Sequence, residues 1–275
     1  MTDVRLHITD SGGEGRPIVL IHGWPLSGES WQPQRRALTA AGYRVVDYDR
    51  RGFGRSEKPE DGYDYDTFAD DLQSVLTDLD LVDVTLVGFS MGGGEVARYL
   101  SRHGESRIRS VVLAAAVTPS MHQTDDNPDG PLDDELYQQL RGGLVEDRDA
   151  FFPEFVRGFF SVGDQLKVGD GDVKDAIELA QQSSQTAAVA AMDAWATTDF
   201  RGDLAAVTVP TLVIHGDGDG TVPFDGSGRR THEAIAHSQL VVIEDAPHGL
   251  NVSHADEFDA ALLAFLGDEA PGVDV

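Results

Sequence analysis

Short runs of β-branched and aliphatic residues alternate along the chain with longer segments in which apolar residues return every three or four positions. Alternation between these two periods is the mark of strand–helix units feeding a parallel sheet. Strands are predicted over residues 4–8, 18–21, 44–48, 84–87, 108–114, 211–214 and 240–243. The central ones are apolar at successive positions, as strands covered on both faces must be. Helices are predicted over 29–40, 65–80, 93–103 and 255–266. In the second of these, Leu72, Val75, Leu76 and Leu79 share one face.

The rhythm breaks between Val117 and Asp203, where strand patterns vanish. Asp125-Asp-Asn-Pro-Asp-Gly-Pro131 reads as a solvated loop, 132–142 as a helix, 151–160 as an aromatic segment and 172–194 as one or two helices. The pattern therefore predicts a core over 1–116 and 204–267, a helical cap inserted over 117–203, and a flexible tail over 268–275 rich in Gly, Pro and acids. A chain of 275 residues can bury a substantial core in such a unit.

Charge narrows the choice of partners. With 48 acidic and 21 basic side chains the formal charge is −27. A nucleic-acid partner is not expected, because neutralising phosphates requires clustered Lys and Arg. The lysines are Lys58, Lys167 and Lys174 alone, and Asp dominates the acids. Two origins fit this balance: adaptation to salt, since such a surface repels itself at low ionic strength, or the codon usage of a GC-rich genome. There is no cysteine, hence no disulfide, and no apolar run approaches the roughly 18 residues of a membrane span. The N-terminus shows no secretory leader pattern, so a cytoplasmic location is expected. A homo-oligomer is compatible with everything in the sequence.

The most informative stretch is Val84-Thr-Leu-Val-Gly-Phe-Ser-Met-Gly-Gly-Gly-Glu-Val-Ala-Arg-Tyr-Leu100, an apolar strand that runs through Gly88-Phe89-Ser90-Met91-Gly92 into a helix. That context fits a nucleophile elbow: the serine needs a tight, strained turn, and glycines two residues to either side let the backbones close around it. A serine hydroxyl is a weak nucleophile, so it needs a histidine to take its proton and a carboxylate to orient that histidine. Downstream, the strand beginning at Thr211 ends in a loop carrying Asp217 and Asp219, and the strand from Leu240 ends at Ala246-Pro-His248-Gly249. Ser, then Asp, then His, each after the carboxyl end of a strand, is the order and placement expected of a triad on an open α/β sheet. His254 is the rival base. It falls at a helix start, where a cap or surface role is the usual one.

These motifs, together with His22-Gly-Trp-Pro-Leu-Ser27, Tyr43-Arg-Val-Val-Asp-Tyr-Asp-Arg-Arg-Gly-Phe-Gly-Arg-Ser56, Thr198-Asp-Phe200 and Val209-Pro-Thr-Leu-Val-Ile-His-Gly-Asp-Gly-Asp219, resemble an α/β-hydrolase. Within that fold the chain is similar to the cofactor-free bacterial haloperoxidases, perhydrolases and aryl esterases. The resemblance spans about residues 16–266. It implies the α/β-hydrolase fold: a mostly parallel, doubly wound sheet with an inserted helical cap. In the family's G-x-x-D-x-x-V-P motif the acid is the second aspartate, Asp219 counted from Gly216 and Pro223, which leaves Asp217 as a turn residue accepting backbone N–H bonds.

The implied chemistry needs no cofactor and no metal. Ser90 attacks a small acyl or aryl ester, His248 moves the proton and Asp219 orients the imidazole. The backbone N–H groups of Met91 and Trp24 hold the oxyanion. Pro25 biases Trp24 toward extended dihedrals, and in the resembled family a Trp-Pro pair here accompanies perhydrolysis, with hydrogen peroxide as acyl acceptor. The pocket implied by the match is small and apolar, lined by Trp24, Pro25, Val117, Met121, Phe155, Phe159, Trp195, Val222 and Phe224. Carbon–carbon bond hydrolysis or lactone opening would use the same triad, and the fold also carries ligand-binding homologues. His232-Glu-Ala-Ile-Ala-His237 is set aside as a zinc motif because its histidines are five apart and do not share a helix face. Asp217-Gly-Asp-Gly lacks the later positions of a calcium loop.

Overall fold

The computed structural model describes residues 4–268. Seven strands form one sheet: β1 (His7–Asp10), β2 (Pro17–Ile21), β3 (Arg44–Asp49), β4 (Val84–Phe89), β5 (Ile108–Ala114), β8 (Thr211–Gly216) and β9 (Gln239–Ile243). Their order is β1-β3-β2-β4-β5-β8-β9. Only β1 runs antiparallel, against β3; the others are parallel. The first strand starts at His7 and not at residue 4. Its register against β3 pairs His7 with Asp49 and Asp10 with Val46, and Arg5 bonds to Glu57 outside the sheet.

Alternate residues of the inner strands leave for opposite faces, so two apolar layers form. Val19, Ile21, Val46, Leu86, Val111 and Leu113 pack with α2 (Tyr65–Asp78) and α3 (Met91–His103). Ile18, Leu20, Val45, Val87, Val112 and Ile214 pack with Leu38 of α1 (Gln32–Ala40) and Phe258, Leu262 and Phe265 of α11 (Ala255–Asp268). A 3-10 turn, Gly28–Trp31, precedes α1 where the pattern predicted the helix to begin. Between β2 and β4 the chain order reverses, because β3 pairs on one side of β2 and β4 on the other. The carboxyl ends of strands at such a switch point frame the crevice in which open α/β sheets bind ligands.

Between β5 and β8 lie α4 (Asp134–Glu146), α5 (Arg148–Phe159), a short hairpin of β6 (Ser161–Val162) and β7 (Gln165–Leu166), α6 (Asp170–Gln181), α7 (Gln185–Thr197) and α8 (Arg201–Leu204). The hairpin corrects the expectation that strands are missing here. The start of α4 is set by Asp133, whose carboxylate accepts from the Leu136 amide, and not by Leu132. The aromatic segment is helical. Asp147 caps it through the Ala150 amide, and Phe151, Phe155 and Phe159 recur every fourth residue despite Pro153. Ser184 caps α7 and divides the expected 172–194 stretch into two helices. The two ends of the inserted segment are joined where Ser120 bridges Asp199 and the Phe200 amide donates to the Pro119 carbonyl.

The pattern gave no sign of α9 (Gly228–Ala234) or α10 (Leu250–Ser253). Apart from Asp268, which ends α11, the tail expected over 268–275 lies outside the described residues. Among the described residues no helix is long and apolar enough to cross a membrane.

Candidate active site

The β4–α3 junction places Ser90 at φ 55°, ψ −119°, a left-handed conformation that costs a non-glycine residue about 1–3 kcal/mol. Neighbouring backbone holds it there. The Ser90 amide donates to the Ala114 carbonyl at 2.8 Å, and the Ser90 carbonyl accepts from Gly93 at 2.9 Å and Val117 at 3.3 Å. Glycine is required on both sides. A Cβ on Gly88 would strike the Gly92 carbonyl, and one on Gly92 would strike the Ile21 carbonyl at the end of β2.

His248, in the turn after β9, points Nε2 at the Ser90 hydroxyl, 2.9 Å away. Its Nδ1 lies 2.7 Å from Asp219 Oδ2. A carboxylate can only accept, so Nδ1 carries the proton and Nε2 accepts from the serine O–H. Asp219 Oδ1 is tied down by the amides of Thr221 at 2.9 Å and Val222 at 2.7 Å. All three residues are buried, exposed by 5%, 6% and 1% for Ser90, Asp219 and His248. Burial pushes the Asp219 carboxyl up, but the charge and hydrogen bonds of His248 and His215 outweigh it and hold the group far below the usual carboxylate range. The His248 ring is braced by Phe89 and Phe159, with centroids 5.1 Å and 4.8 Å away. His254 bonds to the Ser253 hydroxyl at 2.9 Å. Asp217 takes the Asp245 amide at 2.7 Å as a turn residue.

The loop after β2 completes the site. A Cβ on Gly23 would stand 3.0 Å from the Ser90 Cβ, so the backbone leading into Trp24 passes directly against Ser90. Met91 opens α3, where the first amides of a helix have no intrahelical acceptor. Both expected oxyanion donors therefore lie on backbone flanking Ser90. The loop is fastened from behind by a fully buried cluster. Arg50 donates from Nη2 to the His22 carbonyl at 2.9 Å, from its amide to His22 Nε2 at 2.9 Å, and from Nε to Glu95 on α3 at 2.7 Å. The Tyr48 hydroxyl donates to the other Glu95 oxygen. Sequence reasoning missed this cluster, although Arg50 and Glu95 both lie in the quoted motifs.

The match to the family model for the alpha/beta hydrolase fold covers residues 16–255. The chain belongs to the α/β-hydrolase family. It is 47% identical over 259 residues to a non-heme chloroperoxidase from Kitasatospora aureofaciens, with 92% of this chain and 93% of that one covered. It is 35% identical over 266 residues to a bifunctional esterase/perhydrolase from Acinetobacter calcoaceticus, with 96% of each covered. A bromoperoxidase structure from Bacillus anthracis superposes with a TM-score of 0.94 at 50% identity, over 96% of both chains.

In this α/β-hydrolase the space around Ser90 is divided. An inner chamber of about 10 Å³ is bounded by Trp24, Ser90, Val117, Phe155, Trp195, Thr221, Val222 and His248. An outer, mainly apolar cavity of about 440 Å³ lies between α4, α5 and the loop after β8, and Met121, Leu132, Leu140 and Phe151 contribute to it. Phe155, Trp195 and Thr221 border both. Three of the expected pocket residues sit elsewhere. Pro25 is buried beside the chamber without lining it, Phe159 is taken up by the His248 ring, and Phe224 packs on His215 and under the Arg229 guanidinium. Thr221 was missed because a threonine in a loop carries no periodic signal.

Proposed function

We propose that this α/β-hydrolase is a serine esterase for small acyl and aryl esters that also transfers its acyl group to hydrogen peroxide. The observation that carries the reading is the unbroken chain from the Ser90 hydroxyl through His248 to the Asp219 carboxylate, closed at the floor of an apolar chamber. Ser90 Oγ attacks the ester carbonyl while His248 Nε2 takes its proton, and the imidazolium is stabilised by Asp219. The carbonyl oxygen becomes an oxyanion facing the Met91 and Trp24 amides. Collapse expels the alcohol, which leaves with the proton from His248. Water then releases the acid, or peroxide releases a peracid. The peracid oxidises halide to hypohalous acid and returns as the carboxylic acid, so halogenation needs no metal or haem. The names of the relatives support this reading over carbon–carbon bond hydrolysis or lactone opening on the same residues. A cytoplasmic setting is part of the proposal, and cell fractionation tests it.

The test compares p-nitrophenyl acetate, butyrate and octanoate hydrolysis with halogenation in acetate and peroxide, on wild type and Ser90→Ala. A short-chain preference is expected, with both activities lost together in the variant. Halogenation that survives Ser90→Ala would place the oxidative chemistry elsewhere.

A further inference from the structure

His215 sits on β8, four residues before Asp219, with no exposed surface. Its Nε2 lies 2.8 Å from the Val222 carbonyl and 3.2 Å from Asp219 Oδ2. A carbonyl can only accept, so the proton is on Nε2 and bonds to the Val222 carbonyl, with Asp219 Oδ2 beside it. The oxygen it reaches is the one that accepts from His248. Val222 thus gives its amide to one oxygen of Asp219 and its carbonyl to the histidine held over the other. The second ring nitrogen, Nδ1, has no hydrogen-bond partner among the described residues. Gly228 at the start of α9 comes so close that a Cβ there would collide with that nitrogen. A buried imidazole with an orphan nitrogen is a poor choice for packing alone, where an aliphatic side chain would leave no polar atom unpaired. What the imidazole does supply is a rigidly held N–H whose nitrogen lies 3.2 Å from Oδ2.

Building on the esterase reading, we propose that His215 is a positioning residue that fixes the Asp219 carboxylate and shares its charge, setting how strongly Asp219 holds the His248 imidazolium. Two imidazoles face this carboxylate, His248 from the turn after β9 and His215 from β8. Ser90 faces His248 from the start of α3, and Phe89 and Phe159 cover its ring. With the His215 donor gone, the charge on Oδ2 falls to His248 alone. The imidazolium is then favoured, while Oδ1 stays held by the Thr221 and Val222 amides.

The experiment follows kcat and KM for p-nitrophenyl acetate against pH in wild type, His215→Leu and His215→Gln, with unfolding midpoints measured in parallel. In His215→Leu kcat falls by about tenfold or more with KM nearly unchanged, and the acid limb of kcat/KM moves up by about 0.5–1 pH unit. His215→Gln, whose amide N–H reaches the same place, recovers most of both. A His215→Leu enzyme with the wild-type acid limb overturns the proposal, including one whose kcat falls only with its folded fraction. The titration of His248 by NMR in the resting enzyme separates this from the esterase reading, since it needs no substrate. An upward shift in His215→Leu supports the role of His215 even if no ester is turned over, and an unmoved titration overturns it.

Discussion

Burial acts on Asp47 and Asp219 in the same direction, and their partners decide the opposite outcomes. Asp219 has two imidazoles and two amides around it. Asp47, 1% exposed on β3, is dominated by desolvation. Arg35 at 2.7 Å only partly offsets this, and the charges of Glu29 and Asp49 add to it, so the carboxyl is pushed up to about 6 from an ordinary value of 3.8. A raised folded pKa means that the folded state binds the proton more tightly than the unfolded chain. This contribution is fully present below pH 3.8 and is lost as pH rises through about 6. Relative to wild type, Asp47→Asn should therefore gain about 2 kcal/mol between pH 4 and pH 7. Urea unfolding of both proteins at the two pH values checks it, and a constant difference would show that Asp47 is not held protonated. At this scale the sequence was most legible where a motif fixed the spacing. Ser90, Asp219 and His248 stood out because they follow strands in a set order. His215 did not, because nothing local distinguishes a strand histidine that packs from one that donates to a carboxylate brought close by the fold.

Helix α3 carries two burdens, presenting Ser90 at its start and anchoring the loop after β2 through Glu95 one turn later. Glu95→Gln leaves Arg50 buried without its charge partner, a loss expected to cost about 3–5 kcal/mol. Denaturant unfolding reads the stability, and kcat should fall because the loop that carries Trp24 against Ser90 loses its support. Helix α5 closes the inner chamber. Phe155 stands 5.0 Å from the Trp24 ring and 5.6 Å from Phe151, on the boundary between the two cavities. Phe155→Ala should merge them and raise the octanoate-to-acetate ratio of kcat/KM by about tenfold or more. An unchanged ratio would assign chain-length selection to another wall. Element boundaries were readable where apolar period and cap agreed, as at the start of α2 after Asp64. They slipped where caps and tertiary pairing decided, as at α4 and β1.

Over the whole molecule the charge of −27 dominates the surface. Most of the arginines are already committed, as in the Arg51–Asp71, Arg102–Asp70 and Arg201–Asp199 pairs, so the excess acids repel one another. The screening length shortens from about 30 Å at 0.01 M salt to about 8 Å at 0.15 M. The unfolding midpoint should rise over that range, by about 2–4 °C per kcal/mol of repulsion relieved. Calorimetry in stepped KCl measures it. A flat midpoint up to molar salt would mean that the acids are spaced widely enough to ignore one another, and that the acidity reflects codon usage and not adaptation to salt.

By itself the sequence determined the alternation of strands and helices, the strained serine turn and the order of Ser90, Asp219 and His248, because each is written in local spacing. Only the tertiary structure decided that Phe155 and Trp195 divide the cavity, that Arg50 bolts the loop after β2 to α3, and that a second imidazole lies against the Asp219 carboxylate. Those contacts join residues far apart in the chain, and their energies come from burial and hydrogen bonding that exist only once the sheet and its insertion have closed on one another.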